Sequence, residues 1–212
     1  ESFMSDIHAR DHRVRARLAL DREGNILAFD IDDLTGIGPF SMYPRTSAIE
    51  CNQVVGLTGS PYKHKLYRAK GAVVFQNKNM MCQYRGVGHP IAIAAAEHLI
   101  DQAAATMNCD PAELRQRNLI PDDAYPYTSP TGMRFEALSH QKTLSKLLEA
   151  MDYSRLRQEQ AALRKQGIYQ GIGLSVCFEI TNPSPMFYGV GGARIGAQEG
   201  CTMRLEPSGA LM

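Results

Sequence analysis

Residues 75–120 constrain this chain more than any other stretch. They read FQNKNMMCQYRGVGHP and then IAIAAAEHLIDQAAATMNCDPAELRQRNLI: an extended segment, a glycine-punctuated turn carrying one arginine, and two helices. The turn itself is Gln83-Tyr84-Arg85-Gly86-Val87-Gly88-His89-Pro90. Gly86 and Gly88 carry no Cβ, so backbone N–H groups there can approach an anionic or polar group closely. Arg85 adds a planar fork of donors suited to oxygens. On spacing alone the plainer reading, a strand-to-helix turn with an ion-paired arginine, takes precedence, because short motifs recur by chance.

The flanking pattern assigns the other elements. Residues 13–20 (RVRARLAL) alternate polar and apolar side chains, as a half-buried strand does. A turn at Asp21 to Gly24 returns the chain through NILAFDI, so 13–32 reads as a hairpin. Residues 35–47 are irregular and 48–57 ambiguous. Residues 67–76 (YRAKGAVVFQ) read as a strand entering the core, since Val73, Val74 and Phe75 are too apolar for an exposed edge. Ile91, Ala94, Ala95, His98, Leu99, Gln102, Ala103 and Met107 follow helical spacing and mark one apolar face, with His98 as a core histidine. Asp110-Pro111-Ala112-Glu113 starts a second helix with an N-cap, a first-turn proline and a carboxylate three residues past the cap. Helices are thus predicted over about 90–118 and 140–166, the latter ended by Gly167. A buried strand at 170–180, a glycine-rich loop at 182–200 and a strand at 201–206 before a Pro-Ser-Gly turn complete the chain. The order implies an α+β fold, a mixed β-sheet with helices packed on one face.

Charge and cysteines then exclude function classes. A net charge of +1 gives no field for nucleic acid or a membrane surface. No apolar run approaches the roughly eighteen residues of a spanning helix. Five scattered cysteines, odd in number and without a CxxC pair, predict free thiols in a cytoplasmic setting and no iron–sulfur cluster in this chain. GVGGARIG lacks the strand, helix and acidic partner of a dinucleotide loop. His8 and His12 stand four apart but in a charged terminal segment, and read as solvated. No residue qualifies as catalytic or as a metal ligand. The start without methionine and the stop just after a turn predict a segment of something longer.

Taken together, Asn77-Lys78, the Tyr-Arg-Gly-x-Gly-x-Pro bend, the alanine-rich helix, Asp-Pro-Ala-Glu-Leu-Arg-x-Arg-Asn and the later PYTSPTG and GIGLSVCFE are similar to the molybdenum hydroxylases. That family comprises xanthine dehydrogenase, aldehyde oxidase and the large subunit of aerobic carbon monoxide dehydrogenase. The resemblance runs from about Arg13 to the end. It implies that residues 1–170 are part of a first molybdopterin-binding domain and that 171–212 lead toward a second. It also implies that Arg85 and Gly86 touch a molybdopterin-type molybdenum cofactor and that Val87 faces the substrate channel. His89 and Ile91 depart from the residues the family more often has after the bend. The activity implied is hydroxylation of an aldehyde or N-heterocycle, or oxidation of carbon monoxide. The base glutamate belongs to a segment further toward the C-terminus, and Glu97 and Glu179 read as structural or surface residues. Iron–sulfur centres and a flavin are implied on other domains or subunits, with the rest of the molybdopterin subunit and a small-molecule substrate as partners. The alternative is a non-catalytic scaffold domain of the same fold.

Overall fold

Alternation of arginines with apolar residues makes the first hairpin, as the sequence predicts. β1 (His12–Leu20) turns Arg13, Arg15 and Arg17 outward and its even-numbered residues inward. It pairs antiparallel with β2 (Ile26–Gly36), Ala16 opposite Ile31. The computed structural model describes residues 6–41, 47–180 and 201–212. It divides into two compact units, Glu1–Glu179 and Ile180–Met212.

In the first unit β2 also pairs with β3 (Leu66–Val74), in parallel, Ile31 opposite Ala69. A parallel neighbour needs a crossover, and α1 (Ile49–Leu57) supplies it. The sheet is therefore mixed, in the order β1-β2-β3. On its outer face Asp30 of β2 accepts from Arg17 of β1 and Arg68 of β3 at 2.7 and 2.6 Å. Its inner face presents Phe29 and Ile31 and, further along the same register, Asp33 and Thr35, all buried.

The helices are α2 (His89–Met107), α3 (Pro111–Asn118), α4 (His140–Ala150) and α5 (Tyr153–Lys165). A two-residue ladder joins β4 (Tyr127–Thr128) to β5 (Arg134–Phe135). The core gathers Ile26 and Phe29 from the sheet with Ala96, Ile100 and Ala104 of α2, Leu114 of α3 and Leu144 of α4. Alanines let α2 approach the sheet closely. Two predicted helix ends hold: the Asp110 carboxylate accepts from the Ala112 and Glu113 N–H groups, and Gly167 closes α5 at φ +78°.

Several expectations need correction. The buried stripe of α2 is His89, Ala92, Ala96, Glu97, Ile100 and Ala104, and His98 is exposed. The helix is apolar nearly all round and alanine gives little contrast, so the stripe was read about one residue out of phase. β3 lies at an edge of the sheet, with Phe75 just past its end 69% exposed. Residues 170–180, with Leu174 and Val176 buried, form no ladder among the described residues. Side chains hold them instead: the Glu97 carboxylate accepts from the Val176 N–H at 3.0 Å, and Gln160 Nε2 donates to the Gln170 carbonyl at 2.7 Å. The ambiguous residues 48–57 are mostly helix.

In the second unit, Leu205 and Leu211 make one antiparallel bridge around the predicted Pro-Ser-Gly turn, where Gly209 has φ +83°. The expected strand at 201–206 is thus reduced to that bridge. The predicted loop at 182–200 lies outside the described residues.

Candidate functional site

The bend between residues 82 and 90 is built from an unusual backbone. Gly86, Val87 and Gly88 all have positive φ, at +81°, +23° and +77°. The β-branched Val87 adopts that region only under strain, which concentrates at ligand clamps and switch regions. Gly88 is required by contact as well as by φ, because a Cβ there would fall 2.7 Å from the Glu50 carbonyl oxygen and 2.8 Å from the Gln53 Cβ. Gly88 also serves as the N-cap of α2, whose first turn carries Pro90. The helix behind therefore fixes the turn.

Arg85 is exposed, with its guanidinium carbon 5.9 Å from the centre of the Tyr84 ring. Among the described residues it forms no ion pair, so the turn with an ion-paired arginine does not describe it. Gly86 and Val87 are half-buried beside it. The three residues singled out by sequence thus form one continuous surface.

Sequence reasoning missed what clamps that surface. The N-terminal segment runs alongside residues 80–82, with the Cys82 N–H donating to the His8 carbonyl at 2.8 Å. This brings Arg10 to the bend, where its Nη2 donates to the carbonyls of Tyr84 and Arg85. Glu50, in the first turn of α1, accepts from the Gly88 N–H and the Arg10 N–H, each at 3.4 Å. Behind Glu50 lies a buried polar cluster. His12 Nδ1 stands 3.0 Å from Asp33 Oδ1, and its Nε2 is 3.5 Å from Glu50 Oε2. The Thr35 hydroxyl donates to Asp33 at 2.8 Å.

Burial opposes charging of the His12 ring, but the hydrogen bond to Asp33 and the nearby carboxylates of Asp33 and Glu50 outweigh it and push its pKa up to about 9. His12 is therefore a buried cation at neutral pH, and its reading as a solvated histidine is overturned. The neighbouring Cys51 thiol is pushed up to about 11, chiefly by burial, which makes it a poor nucleophile. One signal could have located the cluster. Asp33 falls on the inward register of β2 with Phe29 and Ile31, where a carboxylate needs a partner. Nothing in spacing points to Arg10.

Chemically, the arrangement suits an oxygen-rich anionic group. Because a trans peptide sets N–H opposite C=O, holding the Tyr84 and Arg85 carbonyls on the Arg10 side turns the Arg85 and Gly86 N–H groups to the other side. Neither N–H has a partner among the described residues. Two adjacent backbone donors next to an exposed guanidinium can serve one anionic group together. Among the described residues no group of three or more His, Cys, Asp and Glu is arranged to hold a metal ion.

The chain is similar to several known proteins. Over its full length the chain is 30% identical to the nicotine 6-hydroxylase large subunit of Paenarthrobacter nicotinovorans, covering 26% of it. It is 28% identical to the carbon monoxide dehydrogenase large chain of Hydrogenophaga pseudoflava, covering 27% of it. Quinoline 2-oxidoreductase from Pseudomonas putida 86 matches 99% of this chain with a TM-score of 0.89 at 29% identity, over 27% of its own length. The chain thus spans about a quarter of the length of these relatives. Two of them are named as a large subunit or large chain, that is, as parts of multi-subunit enzymes. Residues 1–119, which include the clamp, the buried cluster and the bend, match the molybdopterin cofactor-binding domain, and the chain belongs to that family.

Proposed function

We propose that the bend is part of the wall of a molybdopterin site in the large subunit of a molybdenum hydroxylase. Arg85 offers side-chain donors and Gly86 a backbone N–H to cofactor oxygens, and Val87 faces the substrate channel. The observation that carries this reading is the pair of N–H groups at Arg85 and Gly86, unengaged among the described residues and presented beside an exposed guanidinium at a turn of three consecutive positive-φ residues. That donor set fits the group, and Gly86 lets the bend close on itself, since a Cβ there would stand 3.2 Å from the Pro90 ring.

When bound, the cofactor supplies the oxidative chemistry that hydroxylates an electron-poor carbon. This chain's share is to bind and orient it. The similarity to enzymes named for nicotine and quinoline, both N-heterocycles, supports a substrate of that class over an aldehyde or carbon monoxide. Iron–sulfur centres and a flavin on other domains or subunits would carry electrons onward. The proposed division stands with this reading, residues 1–170 in a first molybdopterin-binding domain and 171–212 leading toward a second. So does a cytoplasmic location; no described helix is long and apolar enough to cross a membrane.

The test is Arg85→Ala in the purified enzyme with its partner subunits. Losing a charge-assisted hydrogen bond of about 2 kcal/mol lowers turnover of an N-heterocycle roughly 30-fold and reduces molybdenum and pterin per polypeptide. Unchanged turnover and cofactor content would refute the assignment. A wild-type protein that carries no molybdenum or pterin would instead leave the scaffold reading.

A further inference from the structure

Arg10 has no role in the reading above, yet its surroundings are unusual. It takes φ +68°, a region an arginine enters only where the surrounding structure enforces it. Its backbone N–H is held by Glu50. Among the described residues no carboxylate pairs with its guanidinium: Nε is buried without a partner, and the hydrogen bonds of Nη2 go to the carbonyls of Tyr84 and Arg85. A guanidinium committed to two adjacent peptide carbonyls keeps most of its charge and fixes the planes of both peptides. It also lies against the bend, with Nη2 3.5 Å from where a Gly86 Cβ would be.

We infer that Arg10 is a positioning residue for the cofactor-facing bend. By holding the Tyr84 and Arg85 carbonyls on one side, it aims the Arg85 and Gly86 N–H groups at the anion on the other, and its own charge lies behind them. The inference rests on the molybdopterin reading and adds to it a residue 75 positions upstream of Arg85. Glu50 completes the device, because it anchors the Arg10 backbone and the Gly88 N–H with one carboxylate. The bend is thus gripped through its carbonyls by a cation and through its helix-side N–H by an anion. Without Arg10 the Arg85–Gly86 peptide is free to rotate, the Tyr84 carbonyl keeps only the Val87 N–H at 3.3 Å, and a carbonyl turned toward the anion would repel it.

The test uses the purified enzyme with its partner subunits, carrying Arg10→Ala, Arg10→Gln or Arg10→Lys. Two readouts are independent of turnover: the rate at which the loaded enzyme releases its pterin, and amide hydrogen exchange of peptides spanning 82–90 in protein stripped of cofactor. Arg10→Ala should release pterin at least tenfold faster and speed exchange at the bend by a similar factor, while exchange in α3 and α5 stays as in wild type. Arg10→Lys, which keeps the charge but lacks the fork, should fall between wild type and alanine. If Arg10→Ala does not fold, Arg10→Gln, which retains one amide donor of similar length, carries the same comparison. Wild-type release and wild-type bend exchange in the alanine or glutamine variant would overturn the role of Arg10 while leaving the molybdopterin reading intact. A wild-type enzyme without molybdenum and pterin would overturn both.

Discussion

At the scale of single residues, the bend is decided by where a side chain has no room. Gly88 and Gly132 have nearly the same φ, +77° and +83°, but a Cβ at Gly88 would meet the Glu50 carbonyl and a Cβ at Gly132 would meet nothing within 4 Å among the described residues. The two positions separate the cost of a left-handed residue from the cost of a close approach. Gly132→Ala should lose about 1 kcal/mol, the conformational penalty alone. Gly88→Ala should lose about 3 kcal/mol, because backbone of α1 must move as well. Urea unfolding of the two variants measures the difference, and equal losses would mean that α1 yields without cost. Positive φ at Gly86 and Gly88 was legible from residue type. The same conformation at Val87 and Arg10 was not, because tertiary contacts impose it on residues that do not prefer it.

At the scale of elements, α2, α3 and the segment 170–180 are joined by one buried carboxylate. Glu97 accepts from Tyr62 Oη at 2.6 Å, from Arg115 Nε at 2.9 Å and from the Val176 N–H at 3.0 Å. Arg115 is fully buried and also donates to Asp101 at 2.7 Å. Burial, with Glu97 beside it, holds the Tyr62 hydroxyl well above the ordinary tyrosine range, so it stays a donor. Removing one partner of such a pair leaves an uncompensated charge. Arg115→Ala should therefore cost about 3–5 kcal/mol, read as a lower guanidinium midpoint. A loss below about 1 kcal/mol would show that Glu97 is rehydrated or protonated at little cost. The motif DPAELRQRN announced its helix start in sequence, through the Asp110 cap and Pro111. It did not announce that Arg115 points inward. Nor did it show that Asn118 ties the helix end to the first hairpin, accepting from the Ile26 N–H at 2.8 Å and donating to the Gly24 carbonyl at 2.8 Å. Both are polar residues whose partners lie far away in the chain.

At the scale of the whole molecule, His12 links the N-terminal segment, the sheet and α1 through Asp33 and Glu50, so its charge bears on the stability of the first unit. Its pKa is raised from 6.5 to about 9 on folding. The folded state therefore binds the proton more tightly than the unfolded chain. The resulting stabilisation is complete below about pH 6.5 and is lost as pH rises toward 9. Unfolding free energy should fall across that interval in the wild type and change less in His12→Gln. The same slope in both would assign the pH dependence to other groups.

The sequence alone determined the local architecture and the identity of the bend. Alternation made the first hairpin, cap chemistry started and ended the helices, and glycines around one arginine marked a turn between an extended segment and a helix. These features are set by neighbours within a few residues, which is why they could be read. Only the tertiary structure decided which face of α2 is buried, that residues 170–180 are held by Glu97 and Gln160 without a sheet ladder, and that Arg10 and Glu50 grip the bend from opposite sides. Each of these rests on charge and hydrogen-bond pairing between residues far apart in the chain. In a buried setting a polar group must find a partner wherever the fold brings one, and no local pattern specifies where that is.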